Sequence, residues 1–413
     1  MNEFILQLAD VAESRCQKRF REIDQIAFQN TEKVLDAFRN HRVSEACFAG
    51  TTGYGYDDLG RETLDCIYAD IMGTESAIVR IGFVNGTHAL TAALFALAKP
   101  GEHLVSVTGL PYDTLQETIG IRGNNYGSLK FYGIEYEQVN LDQMGNPDYS
   151  AIAEAVKMPG TAAVLIQRSR GYANRRALSV SEIGEIVQTV RRANPEVKVM
   201  VDNCYGEFTE QLEPGNVDAD LLAGSLIKNP GGGLAPAGGY IAGKDELVQR
   251  AAFRLTTPGI GGECGATLNN NRLLYQGLFL APHTVAQAMK TAVFCAAVMD
   301  ELKIPSFPGV NDPRSDIIQT VSLGSAERMK RFCRGIQRGA PVDSFVTPEP
   351  WAMPGYSDQV IMAAGAFIQG SSIELSADGP IREPYDVYMQ GGLTYESGKL
   401  GVLMAVEELL KDN

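Results

Sequence analysis

The sequence predicts an α/β protein with a mostly parallel, doubly wound sheet in a large domain and a smaller α+β C-terminal domain. Short apolar runs of strand length alternate with stretches of helix length between about residues 76 and 255. This alternation is typical of a parallel sheet that helices cover on both faces. The pattern changes beyond Pro305, and 413 residues are too many for one compact core. We therefore divide the chain into an N-terminal helical segment with a loop (1–60), a large domain (61–285) and a small C-terminal domain (286–413).

The chain opens with a predicted helical segment over residues 1 to about 40, where apolar side chains recur at spacings of three and four. A loop rich in glycine and tyrosine, 50–56, separates it from a predicted helix at 62–72. The large domain then contains six predicted strands: Ser76–Ile81, His103–Val107, Ala163–Gln167, Val197–Asp202, Leu221–Leu226 and Gly239–Ala242. Its clearest helices are Thr87–Ala98 and Val180–Ala193, the second opening with a capping-box pattern from Ser179 to Glu182.

The C-terminal part begins with predicted helices over 244–255 and 265–300, the second long enough to bridge two domains. After it, strands and helices no longer alternate in the same regular way. We expect strands at Ile317–Leu323 and Val360–Phe367 and helices at Ala326–Gln337 and Lys399–Leu410. These elements form the smaller α+β domain.

Composition excludes several classes of function. The formal net charge of −14 argues against general nucleic-acid binding and against docking on an anionic membrane. The sequence has no apolar run of about 18 residues and no signal-peptide pattern at its start, so we expect a soluble, cytoplasmic protein. The 7 cysteines and 4 histidines form no metal-ligand cluster, so neither a zinc site nor a disulfide framework is expected.

Two features point to a flat, anionic ligand. Gly86 and Thr87 open a predicted helix, where backbone N–H groups and the helix dipole favour an anion. Taken alone, Thr87 at a helix start is more often a simple cap. Tyr112 follows a predicted strand, where its ring can stack on a flat group, although such a tyrosine is often a plain loop residue.

Two further features lie at the ends of predicted strands. Asp202 ends one strand, at the edge where open α/β sheets bind ligands, although a turn residue is an equally good interpretation. Lys228 follows the apolar run that contains Ser225, and three glycines come shortly after it. A lysine in such surroundings can be desolvated, as a lysine that forms a Schiff base must be.

The order of these features resembles the fold-type-I pyridoxal-phosphate enzymes, and within them the cystathionine β-lyase and methionine γ-lyase group. The runs 225–232 and 374–382 are similar to a bacterial subfamily described as aluminium-resistance or methionine-γ-lyase-like proteins. The resemblance covers nearly the whole chain. It implies the fold of pyridoxal-phosphate-dependent transferases and a cofactor, pyridoxal 5′-phosphate, bound in the domain that spans 61–285.

The resemblance also implies roles for individual residues. Lys228 would hold the cofactor as a Schiff base and carry the Cα proton, Asp202 would pair with the pyridinium nitrogen, and Tyr112 would stack on the ring. The phosphate would be held by Gly86, Thr87 and Ser225. Tyr56, with Arg61 nearby, matches a position that reaches the phosphate of the neighbouring subunit. The resemblance therefore implies a homodimer at least, and a homotetramer is the expected assembly.

The chain departs from the lyases at two positions. Ile227 replaces a threonine of the Ser-x-Thr-Lys pattern. Glu374 stands before a Leu-Ser pair, where the lyases have the arginine that binds the substrate carboxylate. Arg382, eight residues further on, is the replacement candidate for binding that carboxylate. Arg168 and Arg170 follow a predicted strand where the lyases contact the ring oxygen or the carboxylate, and a surface cation is an equally good interpretation of each.

The expected activity is that of a carbon–sulfur lyase acting on a sulfur-containing amino acid. Either β- or γ-elimination would release a thiol, a 2-oxo acid and ammonia. Two alternatives remain open: other chemistry at Cα, such as aldol cleavage or transamination, and a cofactor-binding stress or regulatory protein with little turnover.

Overall fold

A computed structural model describes residues 3–173, 175–353, 356 and 358–411. Its α-helices are α1 (Glu3–Asn40), α2 (Leu59–Met72), α3 (Gly86–Leu97), α4 (Asp113–Ile119), α5 (Tyr149–Ala155), α6 (Val180–Ala193), α7 (Asp245–Leu255), α8 (Asn271–Glu301), α9 (Ala326–Arg338) and α10 (Tyr395–Leu409). Within these ranges no helix has both the length and the apolar character needed to cross a bilayer.

The strands form two sheets. They are β1 (Ser76–Arg80), β2 (His103–Ser106), β3 (Glu135–Gln138), β4 (Thr161–Gln167), β5 (Lys198–Asp202), β6 (Leu221–Ser225), β7 (Gly239–Gly243), β8 (Ser306–Phe307), β9 (Gln319–Ser322), β10 (Val360–Ala363), β11 (Ser376–Pro380) and β12 (Asp386–Gln390). The large sheet has the order β1-β7-β6-β5-β4-β2-β3, and the second has the order β10-β11-β12-β9-β8.

The large sheet is parallel from β3 to β6, whereas β7 runs antiparallel to both of its neighbours. The second sheet is antiparallel throughout its named pairs. The α/β class, the mostly parallel large sheet and the smaller C-terminal sheet predicted from the sequence are therefore confirmed.

Helices cover both faces of the large sheet, and this layering decides where strand side chains point. Val199 and Val201 of β5 lie in the core that α6 and α8 share, whereas Met200 lies in the core of α3 and α7. The same alternation continues past the strand end, so Asp202 and Cys204 have the parity of Met200 and face α3. A ligand bound at this edge of the sheet would therefore lie on the face that α3 covers.

The predicted elements differ from the observed ones mainly at their ends. The long helix predicted from residue 265 begins at Asn271, and the strand predicted over 360–367 ends at Ala363. The first helix runs from Glu3 without a break, and residues 1 and 2 lie outside the described ranges. It packs along α8, which joins the two parts of the chain.

Several strands were missed because they lack an apolar run. The edge strand β3 reads Glu-Tyr-Glu-Gln and lies partly exposed. The central strand β11 reads Ser-Ala-Asp-Gly-Pro, yet all five residues are buried. These residues have low strand propensity, and they form a strand because β11 pairs with β10 and β12. The local sequence does not encode that pairing.

Candidate active site

The edge of the large sheet brings two predicted residues together. Asp202 ends β5 and Ser225 ends the adjacent parallel strand β6, and Lys228 follows three residues later. The Asp202 carboxylate is buried and accepts the N–H of Cys204 at 3.1 Å. Burial raises the pKa of Asp202, and the positive charge of Lys228 acts in the opposite direction. The charge of each group therefore affects the pKa of the other.

Lys228 is held above an aromatic ring. Its Nζ lies 4.1 Å from the centre of the Tyr205 ring, close enough for a cation–π contact. Burial disfavours the ammonium form, but the negative charge of its acidic neighbours, Asp202 among them, outweighs burial and raises the pKa of Lys228. Tyr205 has a positive φ of 70°, an uncommon conformation that turns the chain back toward the lysine.

The start of α3 and the end of β6 approach each other closely at Gly86. A Cβ atom on Gly86 would lie 3.0 Å from the Cβ of Ser225 and 3.7 Å from the Sγ of Cys204, so a larger residue would push the helix away. The first turn of α3, with its free backbone N–H groups, and the Ser225 side chain therefore lie side by side and form one small cradle. A phosphate group fits this donor set.

Thr87 is placed beside this cradle with a partner of its own. Its hydroxyl lies 2.9 Å from the hydroxyl of Thr114, at the start of α4. The helix cap is not Thr87 but Asn85, whose side chain accepts the N–H of His88 at 2.9 Å. Thr87 therefore joins α3 to α4, and only its backbone N–H is well placed to add to the donors at the helix start.

Tyr112 lies at the start of α4, where its backbone N–H donates to Oε1 of Gln167 at 2.7 Å. Its hydroxyl lies 2.6 Å from the hydroxyl of Tyr356, which belongs to the small domain. Burial raises the pKa of Tyr112 well above its ordinary value, so the phenol keeps its proton near neutral pH. The Tyr112 side chain is partly buried, and its phenol is protonated near neutral pH.

Sequence reasoning missed a group of tyrosines around Tyr112. The ring of Tyr172 packs 5.7 Å from that of Tyr112, 5.8 Å from that of Tyr356 and 5.0 Å from that of Tyr388. The Tyr172 hydroxyl donates to the buried carboxyl of Asp378, in the middle of β11. Asp378 itself was a signal, because a carboxyl group that becomes buried needs a hydrogen-bond donor such as a tyrosine hydroxyl.

Arg168 does not have the substrate-binding role that was considered for it. The guanidinium is completely buried, donating to Asn203 at 2.8 Å and pairing with Glu210 at 2.9 Å and with Glu213 at 3.3 Å. The reason is strand parity: Arg168 follows Ile166 on the α6 and α8 side of the sheet, away from Asp202. The Arg168 guanidinium thus stabilises the protein interior through these buried ion pairs and hydrogen bonds.

Arg170 is likewise engaged within the chain. Its guanidinium donates to the carbonyl of Phe307 at 3.0 Å and to the hydroxyl of Thr320 at 3.1 Å, and it lies 3.6 Å from the carboxylate of Asp316. These partners belong to the small domain. Arg170 thus connects the two domains, and the substrate-binding prediction for it is not supported by its contacts.

Arg61 and Tyr56 have different environments. Arg61 is buried and donates to backbone carbonyls of its own chain, those of Gly55, Glu263 and Gly265. It therefore orders its own loop instead of reaching toward a neighbouring molecule, because a buried guanidinium needs fixed acceptors. Tyr56 is 56% exposed and stacks on Tyr54 with 5.6 Å between ring centres.

The remaining arginine candidate, Arg382, lies just after β11. Its side chain is half exposed and donates to Asp358 at 2.8 Å. Together with Tyr172 and Tyr388 it lines a cavity of about 190 Å3. Glu374, at the position of the missing lyase arginine, is buried and accepts the backbone N–H groups of Phe367 at 2.8 Å and Ile368 at 3.0 Å.

Comparisons with known proteins place this site in context. The model of the family described as "Methionine gamma-lyase" matches residues 5–410. The protein YnbB of Bacillus subtilis (strain 168) is 51% identical over 392 residues, which cover 95% of this chain and 93% of YnbB. The crystal structure of a carbon-sulfur lyase involved in aluminum resistance from Clostridium novyi NT is similar with a TM-score of 0.96 and 50% identity, covering 99% of this chain and 97% of that one.

A more distant structure shares the fold alone. The pyridoxal-5′-phosphate dependent protein YhfS from Escherichia coli matches with a TM-score of 0.61 at 18% identity, over 92% of this chain and 95% of that one.

Proposed function

The chain belongs to the methionine gamma-lyase family, and on that premise we propose that it is a pyridoxal-phosphate-dependent carbon–sulfur lyase. It would act by β- or γ-elimination on a sulfur-containing amino acid and release a thiol, a 2-oxo acid and ammonia. The observation that carries the proposal is the joint placement of Lys228, buried Asp202 and the cradle between Gly86 and Ser225 at one sheet edge.

The residues at this edge fit the cofactor. The start of α3 and the Ser225 hydroxyl would hold its phosphate, and the Asp202 carboxylate would keep its ring nitrogen protonated. Lys228 would supply the amine that binds its aldehyde, and Tyr112 would stack on its ring. When bound, pyridoxal phosphate supplies an acceptor for the electron pair left at Cα.

The proton transfers would fall to two side chains. Lys228, once released from the cofactor by the substrate amine, can take the Cα proton on Nζ, and Tyr205 beneath it keeps that amine in place. Tyr112 would carry its phenol proton near neutral pH, and its hydroxyl is the group that could donate a proton to the departing sulfur. The hydroxyl of Tyr356, 2.6 Å away, would help to orient the Tyr112 hydroxyl.

We further propose that the active form is a homodimer at least, with the stacked pair Tyr54 and Tyr56 reaching a second copy. Both rings are large and exposed, at 70% and 56%, on a loop that Arg61 holds in a fixed shape. A rigid pair of exposed aromatic rings is a typical feature of a surface that binds another protein.

A panel of sulfur amino acids tests the lyase proposal. Enzyme loaded with pyridoxal phosphate is incubated with S-methyl-L-cysteine, L-cystathionine and L-methionine, and thiol, ammonia and 2-oxo acid are measured. Thiol and 2-oxo acid in equal amounts, absent with Lys228→Ala, are the expected result. A 2-oxo acid without thiol would indicate transamination, an aldehyde product would indicate aldol cleavage, and no product would favour a binding or regulatory protein.

A further inference from the structure

Two stretches of chain carry the groups that the proposed cofactor would bridge. The first, residues 202–208, continues from the end of β5 and contains Asp202 and Tyr205. The second, residues 223–229, continues from β6 and contains Lys228. A cofactor joined to Lys228 at one end and to Asp202 at the other fits only if these stretches keep a fixed separation. Groups that act on one bound molecule have to be held to within about 0.5 Å.

Strand pairing fixes that separation only at the sheet edge. β5 and β6 are adjacent and parallel, and just beyond β5 the N–H of Asn203 donates to the carbonyl of Ala223 at 3.0 Å. Residues 202–208 then leave the strand direction, with positive φ angles of 70° at Tyr205 and 62° at Phe208. Further contacts are therefore needed to hold the lysine at a fixed distance from this loop.

Glu207 makes the first of these contacts. A Cβ atom on Gly224 would lie 2.5 Å from Oε1 of Glu207, so the glycine leaves the space that this carboxyl group occupies. The hydroxyl of Tyr240 donates to the same oxygen at 2.9 Å, and Glu207 is completely buried. The side chain thereby fixes the position of its own backbone carbonyl beside the turn that follows Lys228.

Asn229, the residue directly after Lys228, makes the second contact. Its Nδ2 donates to the backbone carbonyl of Glu207 at 2.9 Å, and both residues are completely buried. A hydrogen bond in such an interior is electrostatically stronger than one in water. Asn229 also opens a short 3₁₀ turn, Asn229–Gly231, which packs on α8. One amide group thus ties the turn at Lys228 to the loop that contains Tyr205, whose ring centre lies 4.1 Å from the lysine Nζ.

We propose that Asn229 is a positioning residue, which sets the distance between the Lys228 amine and the Asp202 carboxylate through its hydrogen bond to the loop. The inference rests on the proposed function in one respect, because it requires a cofactor that is joined to Lys228. It does not depend on which reaction follows. Without the amide donor, the turn at Lys228 would stay packed on α8, but the loop at Asp202 would lose its tie to that turn. The two ends of the cofactor site would then shift relative to each other.

Asn30 offers a matched control on the same loop. It is completely buried, and its Nδ2 donates to the backbone carbonyls of Phe208 at 3.1 Å and Glu210 at 3.0 Å. It approaches the loop from α1. Asn30→Ala therefore removes the same residue type, at the same depth and with the same kind of bond, but leaves the bond between Asn229 and Glu207 in place. Both variants should lower stability, and only the Asn229 variant should displace the lysine.

The test compares two forms of the cofactor. Pyridoxal phosphate has the aldehyde that bonds to Lys228, whereas pyridoxamine phosphate has an amine in its place and cannot form that bond. Equilibrium dialysis gives both dissociation constants for wild type, N229A, N30A and N229L, the last with a side chain of similar volume in case N229A does not fold. We expect the Asn229 variants to bind pyridoxal phosphate about 10- to 100-fold more weakly, the effect of a misplacement of about 1 Å. Pyridoxamine phosphate should bind within about twofold of wild type, and N30A should keep the wild-type ratio of the two constants.

Several outcomes would overturn the proposal. Equal weakening of both cofactor forms in the Asn229 variants would assign the amide to the fold alone, and the same change of ratio in N30A would assign the effect to the loop as a whole. A crystal structure of N229L with Nζ of Lys228 still 4.1 Å from the Tyr205 ring centre would show that the lysine had not moved. A wild type that binds neither form would refute the proposed cofactor as well. A protein that gives the expected ratios but releases no thiol from sulfur amino acids would refute only the lyase proposal.

Discussion

At the scale of single residues, the surroundings of a side chain decide its chemistry more than its type does. Three arginines were candidates for contacts in the active site, but Arg168 and Arg170 donate to buried partners inside the protein and Arg382 is half exposed. Asp202 and Glu207 are both buried acids near Lys228, yet only Asp202 ends a strand at the ligand edge. This difference leads to two predictions.

Asp202→Asn should retain its fold and lose most of its turnover, because an amide cannot keep a ring nitrogen protonated. The charge-assisted hydrogen bond that is lost contributes about 1.5–3 kcal/mol, so cofactor affinity should also fall by about tenfold or more. Turnover with a sulfur amino acid and the dissociation constant of pyridoxal phosphate check this, with circular dichroism as the test of fold. Turnover near that of wild type would mean that another residue supplies the acid.

Glu207→Gln should change how stability depends on pH. Burial raises the pKa of Glu207 from 4.5 to about 8, so the folded protein keeps this proton in a range where the unfolded chain has released it. Between about pH 5 and pH 8 the folded state therefore binds more protons, and stability falls as pH rises. Glutamine removes this dependence and keeps an oxygen that can accept from Tyr240, whose hydroxyl lies 2.9 Å from the carboxyl.

Thermal melting of both proteins at pH 6 and pH 8 measures this effect. The variant should gain stability relative to wild type as pH rises, by several kcal/mol at most. A stability difference that is the same at the two pH values would mean that Glu207 is ionised in the folded protein throughout this range.

At the scale of elements, the capping signal at the start of α6 was reliable. The capping box predicted at Ser179 and Glu182 is present, and α6 has the predicted bounds. The start of α2 is more elaborate, because its cap Asp58 accepts the N–H of Arg61 at 2.9 Å and also the hydroxyl of Thr267 at 2.6 Å. One carboxylate therefore joins α2 to the segment before α8.

Asp58→Ala should destabilise the protein more than removal of an ordinary cap does. Besides the cap, Asp58 is the acceptor for the hydroxyl of Thr51 and for the amide of Asn271 at 3.1 Å, and these donors would be left buried. We expect a loss of about 2–4 kcal/mol in the free energy of unfolding. Chemical denaturation measures it.

The matched control is Asp148→Ala, at the start of α5. Asp148 is exposed and caps its helix through the N–H of Ala151 at 3.0 Å, so its removal should cost about 1 kcal/mol. Equal losses in the two variants would show that the contacts of Asp58 beyond the cap contribute nothing to stability.

At the scale of the whole molecule, the proposed contact with a second copy involves the exposed tyrosine pair in the loop between α1 and α2. Tyr54 and Tyr56 stack on each other and remain exposed, while the arginine beneath them is bonded to its own backbone. In a two-fold symmetric dimer such a pair would reach the site of the other copy, and the reverse contact would follow by symmetry.

Mixing two variants, at a cofactor concentration too low to fill the weakened site, tests this arrangement. Tyr56→Ala should weaken cofactor binding and so show little turnover under these conditions, and Lys228→Ala should abolish turnover. After subunit exchange each heterodimer would have one site with an intact lysine and an intact tyrosine, so roughly a quarter of all sites should work. Turnover by the mixture is the measurement. If subunits demonstrably exchange and no activity returns, Tyr56 serves only its own subunit or lies away from the site.

The sequence by itself determined the α/β class, the strand-end positions of Asp202 and Ser225, and the helix start at Gly86. These features are local, because apolar periodicity, caps and glycine requirements are encoded within a few neighbouring residues. Only the tertiary structure decided which arginines are buried among partners and how Tyr172 meets Asp378. Such contacts join residues far apart in the chain, and their partners are set by sheet order and strand parity, which no short segment specifies.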